Sequence, residues 1–345
     1  MLLKTLAELP GVSGDEKRVR EAIKKEVQPY VDELKTDCMG NLIVNKRPRK
    51  GKKRSPKVML AAHMDEVGLI INGIEKSGHL RFLKVGDIDN RVLISKPVII
   101  GVENIPGVIG VKAVHLQKPD ERKKTLKTNQ LYIDIGAKGK EEAEKMVSLG
   151  DYAAFDTKVK EMGERCLCGK AFDNRAGCAV LVELLKRELP VELCAVFTVQ
   201  EEIGSRGAIT AAYTLDPDLA LIIETTSAAD FPETKGIKPV TNLGDGPALT
   251  LMDQSFISDG KILAALRAAA EDNEIKYQYR RFTSGATDAG NISLSKEGIP
   301  AGVVSIPCRY LHSPASVIKL DDFYATIGLS EAFLHKVSEM GGLNR

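Results

Sequence analysis

LCAVFTVQEEIGSRGA, residues Leu193 to Ala208, begins as an unbroken apolar, β-branched run that lasts to Val199. Continuous hydrophobicity over that length suits a strand covered on both faces, the habit of parallel α/β sheets. The run ends in two adjacent carboxylates, Glu201 and Glu202, and the Ile-Gly-Ser-Arg-Gly that follows is a turn feeding a small-residue helix start. Open α/β sheets carry their sites at the C-terminal edge of the strands. Neighbouring residues leaving a strand point in different directions. One glutamate can therefore bind a metal ion while the other stays free as a base. An isolated Glu-Glu pair is usually an acidic surface turn, so the site reading depends on other ligands converging on the same edge.

Three more apolar runs end in chemistry-bearing residues. Lys57–Ala62 delivers His63-Met64-Asp65-Glu66, Leu219–Ile223 delivers Glu224-Thr225-Thr226, and Ala301–Ile306 is followed by Arg309-Tyr310-Leu311-His312-Ser313-Pro314. His and Asp two apart at a strand end face one side, and a metal-binding His commonly gives its other ring N–H to a carboxylate. His63 and Asp65 fit that pairing, although a polar turn explains the tripeptide alone as well. KAFDNRAG, residues 170–177, precedes a helix over Cys178–Glu188. An acid just before a helix is ordinarily an N-cap, which is the plain reading of Asp173. His79, His115 and His335 have no acidic cluster beside them and read as surface or structural residues.

The rest of the chain frames these ends. Met1–Leu9 and Asp15–Val27 have helical periodicity, broken by PGVSG at 10–14, with Ser13 or Asp15 as the cap of the second helix. Lys261–Asp272 and the closing Asp321–Met340 also read as helices, and Asn41–Asn45 and Lys276–Phe282 as strands. From Val67 to Val159 short β-rich runs (Gly68–Ile74, Leu80–Val85, Pro97–Ile100, Gly107–Val111, Gln130–Ile135) alternate with turn residues. That spacing predicts a small barrel or sandwich. The division expected is a discontinuous catalytic part, residues 1–66 and 160–345, with an inserted β-rich domain at 67–159 whose ends lie close together.

Composition excludes several classes. With 43% hydrophobic and 28% charged residues the chain is of ordinary globular type, and its net charge of +2 speaks for neither nucleic acid nor an anionic membrane as partner. The basic run KRPRKGKKRSPK, residues 46–57, carries no aromatic residues and reads as a solvated hairpin tip between two strands. No apolar run approaches the roughly 20 residues of a membrane helix, and the N-terminus lacks the pattern of a secretory signal. The six cysteines are scattered, several inside apolar runs, as reduced thiols are. A cytoplasmic location is expected.

Together His63, Asp173, Glu201, Glu202, Glu224 and His312 suit a divalent ion such as Zn²⁺, Co²⁺ or Mn²⁺. One carboxylate shared between two ions, with a His and an acid on each, would make a dinuclear hydrolase site, and the spare glutamate would serve as the base. HMDEVG (63–68), GKAFDNRAGC (169–178), VQEEIGSRGA (199–208), IIET (222–225), ATDAG (286–290) and RYLHSPAS (309–316) resemble the M42 family of cocatalytic metallo-aminopeptidases. VGDIDNRVL, GVIGVKAVHL and LYIDIGAKGKEEAEKMVSLGDYAAFD are similar to that family's second-domain segments, so the likeness spans nearly the whole chain.

The resemblance implies an α/β fold of the phosphorylase/hydrolase-like zinc exopeptidase kind, a central mixed sheet flanked by helices, with a β-barrel-like insert. It implies that Asp173 bridges two divalent ions, that His63 and Glu224 complete one and Glu202 and His312 the other. Glu201 would then be the general base and Asp65 the residue that orients His63. Many members carry Asp where this chain has Glu224. Related dinuclear peptidases have a cis peptide after the bridging Asp, which is expected here at Asp173–Asn174. The family also implies short peptides with a free N-terminus as substrates, and self-association through the insert into dimers and dodecamers. Arg206 or Arg281 would be the partner of an acidic substrate side chain, though a broad or neutral preference is the reading adopted. The alternatives are a deacylase of small acyl-amino substrates, an endo-1,4-β-glucanase, and a non-catalytic metal-stabilised assembly. The glucanase fits poorly with a chain that has no Trp and 5% aromatic residues, because sugar clefts stack on aromatic faces.

Overall fold

The computed structural model describes residues 1–48, 55–120, 122–232 and 240–342. Eleven strands of these residues form one mixed sheet. At its centre four strands run parallel, in the order Glu192–Thr198, Lys57–His63, Leu219–Ser227, Ala301–Arg309. All four are buried almost end to end, which is why their sequences are apolar runs without polar alternation.

Alternation nevertheless divides their side chains between two cores. Val58, Leu60 and Ala62, with Leu193, Ala195 and Phe197 and with Leu219, Leu221 and Ile223, pack in the larger core beneath helices Leu2–Glu8, Lys17–Val27, Phe172–Leu185 and Leu320–Glu339. Met59 and Ala61, Cys194 and Val196, Ala220 and Ile222, and Ala301 and Val303 face the smaller core under helices Arg206–Leu215 and Asp288–Ser293. The next residue in each of these second series is His63, Thr198, Glu224 and Ser305. A period of two thus carries four polar side chains to one face, at the C-terminal end where the apolar cover stops. Truncating Leu60 or Leu221 to Ala in the larger core would cost about 2–5 kcal/mol.

Six strands between Gly68 and Phe155 close a separate barrel in the order Gly68–Ile74, Leu80–Val85, Leu131–Asp134, Ile105–Val111, Pro97–Ile100, Tyr152–Phe155. Its own core is apolar, from Leu69, Ile71, Leu80 and Phe82 to Ile133 and Phe155. The closure pairs Leu69 with Ala153, so the two ends of the block lie side by side.

Several sequence expectations need correction. Residues 46 to 57 are not a hairpin tip. The strands on either side, Leu42–Lys46 and Lys57–His63, are separated by Glu192–Thr198, so this connection crosses over a strand; residues 49–54 of the run lie outside the described residues. Glu224 does not leave its strand, which continues to Ser227 because Thr225, Thr226 and Ser227 pair with Ile306, Pro307 and Cys308. Neither Ser13 nor Asp15 caps the second helix. The exposed edge strands Glu33–Thr36 and Lys160–Met162 are polar and carry no apolar signature to announce them. All six cysteines are free, with Cys178, Cys194 and Cys308 buried.

Candidate metal centre

The parallel edge gathers the predicted residues. His63 ends its strand with Nδ1 3.0 Å from the Asp65 carbonyl, so the ring donates there and turns Nε2 into the site. His312 does the same from another direction, its Nδ1 lying 2.9 Å from the Asp87 carbonyl. Between the two rings stands Asp173, with Oδ1 3.4 Å from His63 Nε2 and Oδ2 3.3 Å from His312 Nε2. Glu224 Oε1 is 3.3 Å from His63 Nε2, and Glu202 Oε2 is 3.3 Å from His312 Nε2. His63, Asp173 and Glu224 thus form one triad of possible ligands, and Asp173, Glu202 and His312 a second that shares its aspartate. Glu201 belongs to neither, its Oε2 lying 3.9 Å from His63 Nε2.

Asp173 is not an N-cap. It and Asn174 depart from helical geometry inside Phe172–Leu185, and the peptide between them is cis, as expected. Asn174 is tied in by its Nδ2 donating to the Ile223 carbonyl at 2.8 Å, and its Oδ1 accepts from Gly177 N at 3.0 Å. His312, Gln200 and Ser205 hold left-handed φ of 54°, 57° and 51°. Non-glycine residues stay in that region, at a cost of order 1–3 kcal/mol each, only where surrounding structure dictates it.

Asp65 does more than face His63. Its Oδ1 accepts from Glu201 N at 3.0 Å, and its Oδ2 accepts from Glu202 N at 3.1 Å and from Ser13 Oγ at 2.7 Å. Glu16 Oε1 accepts from Gln200 N at 3.2 Å. Three consecutive N–H groups are therefore held by two carboxylates behind the turn, which leaves the side chains of Glu201 and Glu202 to project forward. Ser13 and Glu16 come from the N-terminal segment, and sequence reasoning assigned neither a role here. The barrel block also contributes, through the Asp87 carbonyl and through Gly86, where a Cβ would press on Glu202 at 3.4 Å. Asp288, below the site, accepts from Thr198 Oγ1 at 2.5 Å.

Charge is crowded and dry. Burial, reinforced by Asp173, pushes the Glu202 carboxyl up to about 8, and burial above all lifts Glu224 to about 7 and Asp288 to about 6. Glu201 is also raised well above the ordinary range, by burial first. Burial works against the charged forms of the histidines as well, but Asp173 and Glu202 outweigh it at His312, which rises to about 9, and Glu224 with Asp173 outweighs it at His63. Asp173 itself is held low, because His312 and His63 overcome its burial. In such a cluster the positive charge facing the carboxylates comes from protons on His63 and His312, and a metal ion is the group that supplies it without them.

A cavity of about 550 Å³ opens over the site. Besides the acids and histidines, Thr225, Thr226, Arg280, Ser284, Gly285 and Ala286 line it. Arg206 and Arg281 are exposed and are not among the lining residues, whereas Arg280 is. Of the histidines set aside, His115 and His335 are exposed, and His79 packs edge-on against Tyr132 in the barrel, 4.6 Å between ring centres.

Comparison with known proteins identifies the family. Residues 40–329 match the family described as M42 glutamyl aminopeptidase. The chain is 32% identical to the lysyl aminopeptidase of Pyrococcus furiosus over 98% of its own length and 97% of the relative's. Its fold is similar to that of aminopeptidase APDkam598 from the archaeon Desulfurococcus kamchatkensis, with a TM-score of 0.91, 39% identity and coverage of 97% and 93% of the two chains. It is similar as well to the Pyrococcus horikoshii TET1 peptidase, which assembles into a tetrahedron or a large octahedral shell (TM-score 0.84, 34% identity, 96% and 98% covered). With the family match spanning residues 40–329 and the likeness to these relatives covering nearly the whole chain, the chain belongs to the M42 aminopeptidase family.

Proposed function

We propose that the protein removes the N-terminal residue from short peptides, with two divalent cations held between His63, Asp173 and Glu224 on one side and Asp173, Glu202 and His312 on the other. The observation that carries this is Asp173, whose two oxygens face the two histidine rings at nearly equal distance. Ligand bonds of about 2.0–2.1 Å in a tetrahedral arrangement put neighbouring donor atoms about 3.3 Å apart. The separations of 3.3, 3.4, 3.3 and 3.3 Å within the two triads match that edge length. Glu224 Oε2 is buried with no hydrogen-bond partner among the described residues, and so is available as a further ligand atom. Two imidazoles and three carboxylates suit Zn²⁺, Co²⁺ or Mn²⁺.

Bound cations of this kind polarise a carbonyl and lower the pKa of water. Glu201, outside both triads and gripped from behind through its own N–H, takes the proton of the attacking water. It returns that proton to the amine that leaves. Thr198, His63 and Asp65 keep the turn and ring in register with it. The acid-rich wall favours a cationic α-amino group, which is what an aminopeptidase must recognise and what an N-acylated substrate lacks. None of the described residues lining the cavity is Trp, Tyr or Phe, so these offer no platform for sugars and the glucanase reading gains no support.

Residues 67–159 form the inserted domain in this reading, and self-association to dimers and dodecamers runs through it. In support, this block exposes Val102, Val114, Leu116 and Leu149, each more than 60% accessible. No helix among the described residues is long and apolar enough to cross a membrane. The test is hydrolysis of aminoacyl-p-nitroanilides and short peptides, with N-acetylated controls, before and after chelation and reloading with Zn²⁺, Co²⁺ or Mn²⁺. Cleavage that needs both metal and a free amine supports the proposal. Turnover of the acylated compounds alone would replace it with a deacylase.

A further inference from the structure

Among the described residues Arg280 is the one lysine or arginine lining the cavity, in a lining that also holds Asp87, Asp173, Glu201, Glu202 and Glu224. It ends the short strand Gln278–Arg280, and its backbone is fixed by pairing with Thr250. A guanidinium has five N–H donors. Here Nη2 donates to the Ser284 carbonyl, and Nε is shielded from solvent without any acceptor among the described residues. The carboxylates that act on it electrostatically are Asp253 and Glu224, and neither closes an ion pair with it. Asp253 is occupied by Ser255 and Thr287, and Glu224 faces His63. Buried polar groups are normally bonded, so a half-buried arginine fork with open donors beside a cavity is a receptor without its ligand. Arg175, a short way across the molecule, shows how a structural arginine in this chain looks, with carbonyl or carboxylate acceptors on all three nitrogens.

We infer that Arg280 recognises a carboxylate of the substrate. The planar fork matches a carboxylate in two-point fashion. This rests on the aminopeptidase reading of the cavity and adds to it the chemical group that Arg280 selects. A peptide offers two such groups, the side chain of an N-terminal Asp or Glu and the free C-terminus of a dipeptide. Family membership does not decide between them, since the name of the family and that of the relative from Pyrococcus furiosus carry opposite side-chain charges.

The experiment measures calorimetric binding to metal-loaded Glu201→Gln protein, so that it does not depend on turnover. Glutamic acid α-amide against glutamine α-amide differs only in side-chain charge, and Leu-Gly against Leu-Gly-amide only in the charge of the C-terminus. The carboxylate member of one pair should bind roughly tenfold or more tightly than its neutral partner. That preference should vanish in Arg280→Met and return in part in Arg280→Lys. Whichever pair shows it names the source of the carboxylate. Equal binding within both pairs, or a preference that survives Arg280→Met, would overturn the inference. Should Arg280→Met fail to fold, as read by its melting transition, Arg280→Gln carries the same comparison. Hydrolysis of alanyl and leucyl anilides by the unmodified enzyme reads the aminopeptidase assignment separately, so either can fail without the other.

Discussion

Two buried clusters of charge lie side by side in this molecule, and they are opposites. In the first, Glu66, Lys170 and Arg175 are all 3% exposed or less. The Lys170 ammonium has three donors and three acceptors, both oxygens of Glu66 and the Leu9 carbonyl. Arg175 has five donors and five acceptors, the carbonyls of Met64, Leu6, Leu9 and Gly11 and one oxygen of Glu66. Its excess positive charge meets carbonyls from the last turn of helix Leu2–Glu8 and the residue after it, where the helix dipole is negative. The second cluster, His63, Asp173, Glu202, Glu224 and His312, is less deeply buried, with the His312 side chain 34% exposed, and is rich in acceptors and poor in donors, with Glu224 Oε2 left unbonded among the described residues. Burial and charge are common to both. What separates structure from chemistry is leftover bonding capacity, and only the second cluster has any.

That contrast predicts different failures. Glu201→Gln, beside the open cluster, should lower kcat/KM by about 10³-fold or more, roughly 4 kcal/mol of barrier. Its melting temperature should stay at or above that of the parent, because a desolvated carboxylate has been removed; a comparable loss of stability would erase the distinction. Lys170→Met, in the closed cluster, leaves buried Glu66 with Arg175, at 3.4 Å, as its one cation among the described residues. Denaturant unfolding should show a loss of about 3–5 kcal/mol.

Chelation acts on the open cluster alone. It should abolish hydrolysis and lower the melting temperature, since an ion at a hundred times its Kd stabilises the folded state by about 2.7 kcal/mol. Indifference of the melting curve to chelator would count against a bound metal. The smallest effect is expected where the N-terminal segment meets the site. Ser13→Ala removes one donor from Asp65 and should cost about 1 kcal/mol of stability with a several-fold fall in kcat, and Ser13→Thr should restore both. Loss of stability with kcat unchanged would confine Ser13 to folding.

How much of this the sequence discloses follows from the same physics. The four parallel strands and most of the barrel announce themselves by apolar runs and turn residues, and His63, Glu201, Glu202 and Glu224 draw notice because they stand where those apolar runs stop. Glu224 was misjudged by four residues of strand, since Glu-Thr-Thr-Ser looks like an exit until its pairing partners are known. Arg280 and Arg281 are adjacent, and in a strand one step of register exchanges cavity for solvent. No local pattern could choose between them. Ser13 and Glu16 act on residues 52 and 184 positions away, and each sits in a segment whose own signal is only that of a helix start. Long-range hydrogen bonds of this kind leave no trace in local composition.

The central claim is that the open cluster holds two divalent ions through one shared aspartate. Equilibrium dialysis against Zn²⁺ or Co²⁺, followed by elemental analysis per mole of chain, tests it most directly. The account predicts two ions in the parent protein and the loss of both affinities in Asp173→Asn. Glu224→Ala and Glu202→Ala should each weaken one of the two ions selectively. A single ion in the parent, or an Asp173→Asn protein that retains its full complement, would contradict it.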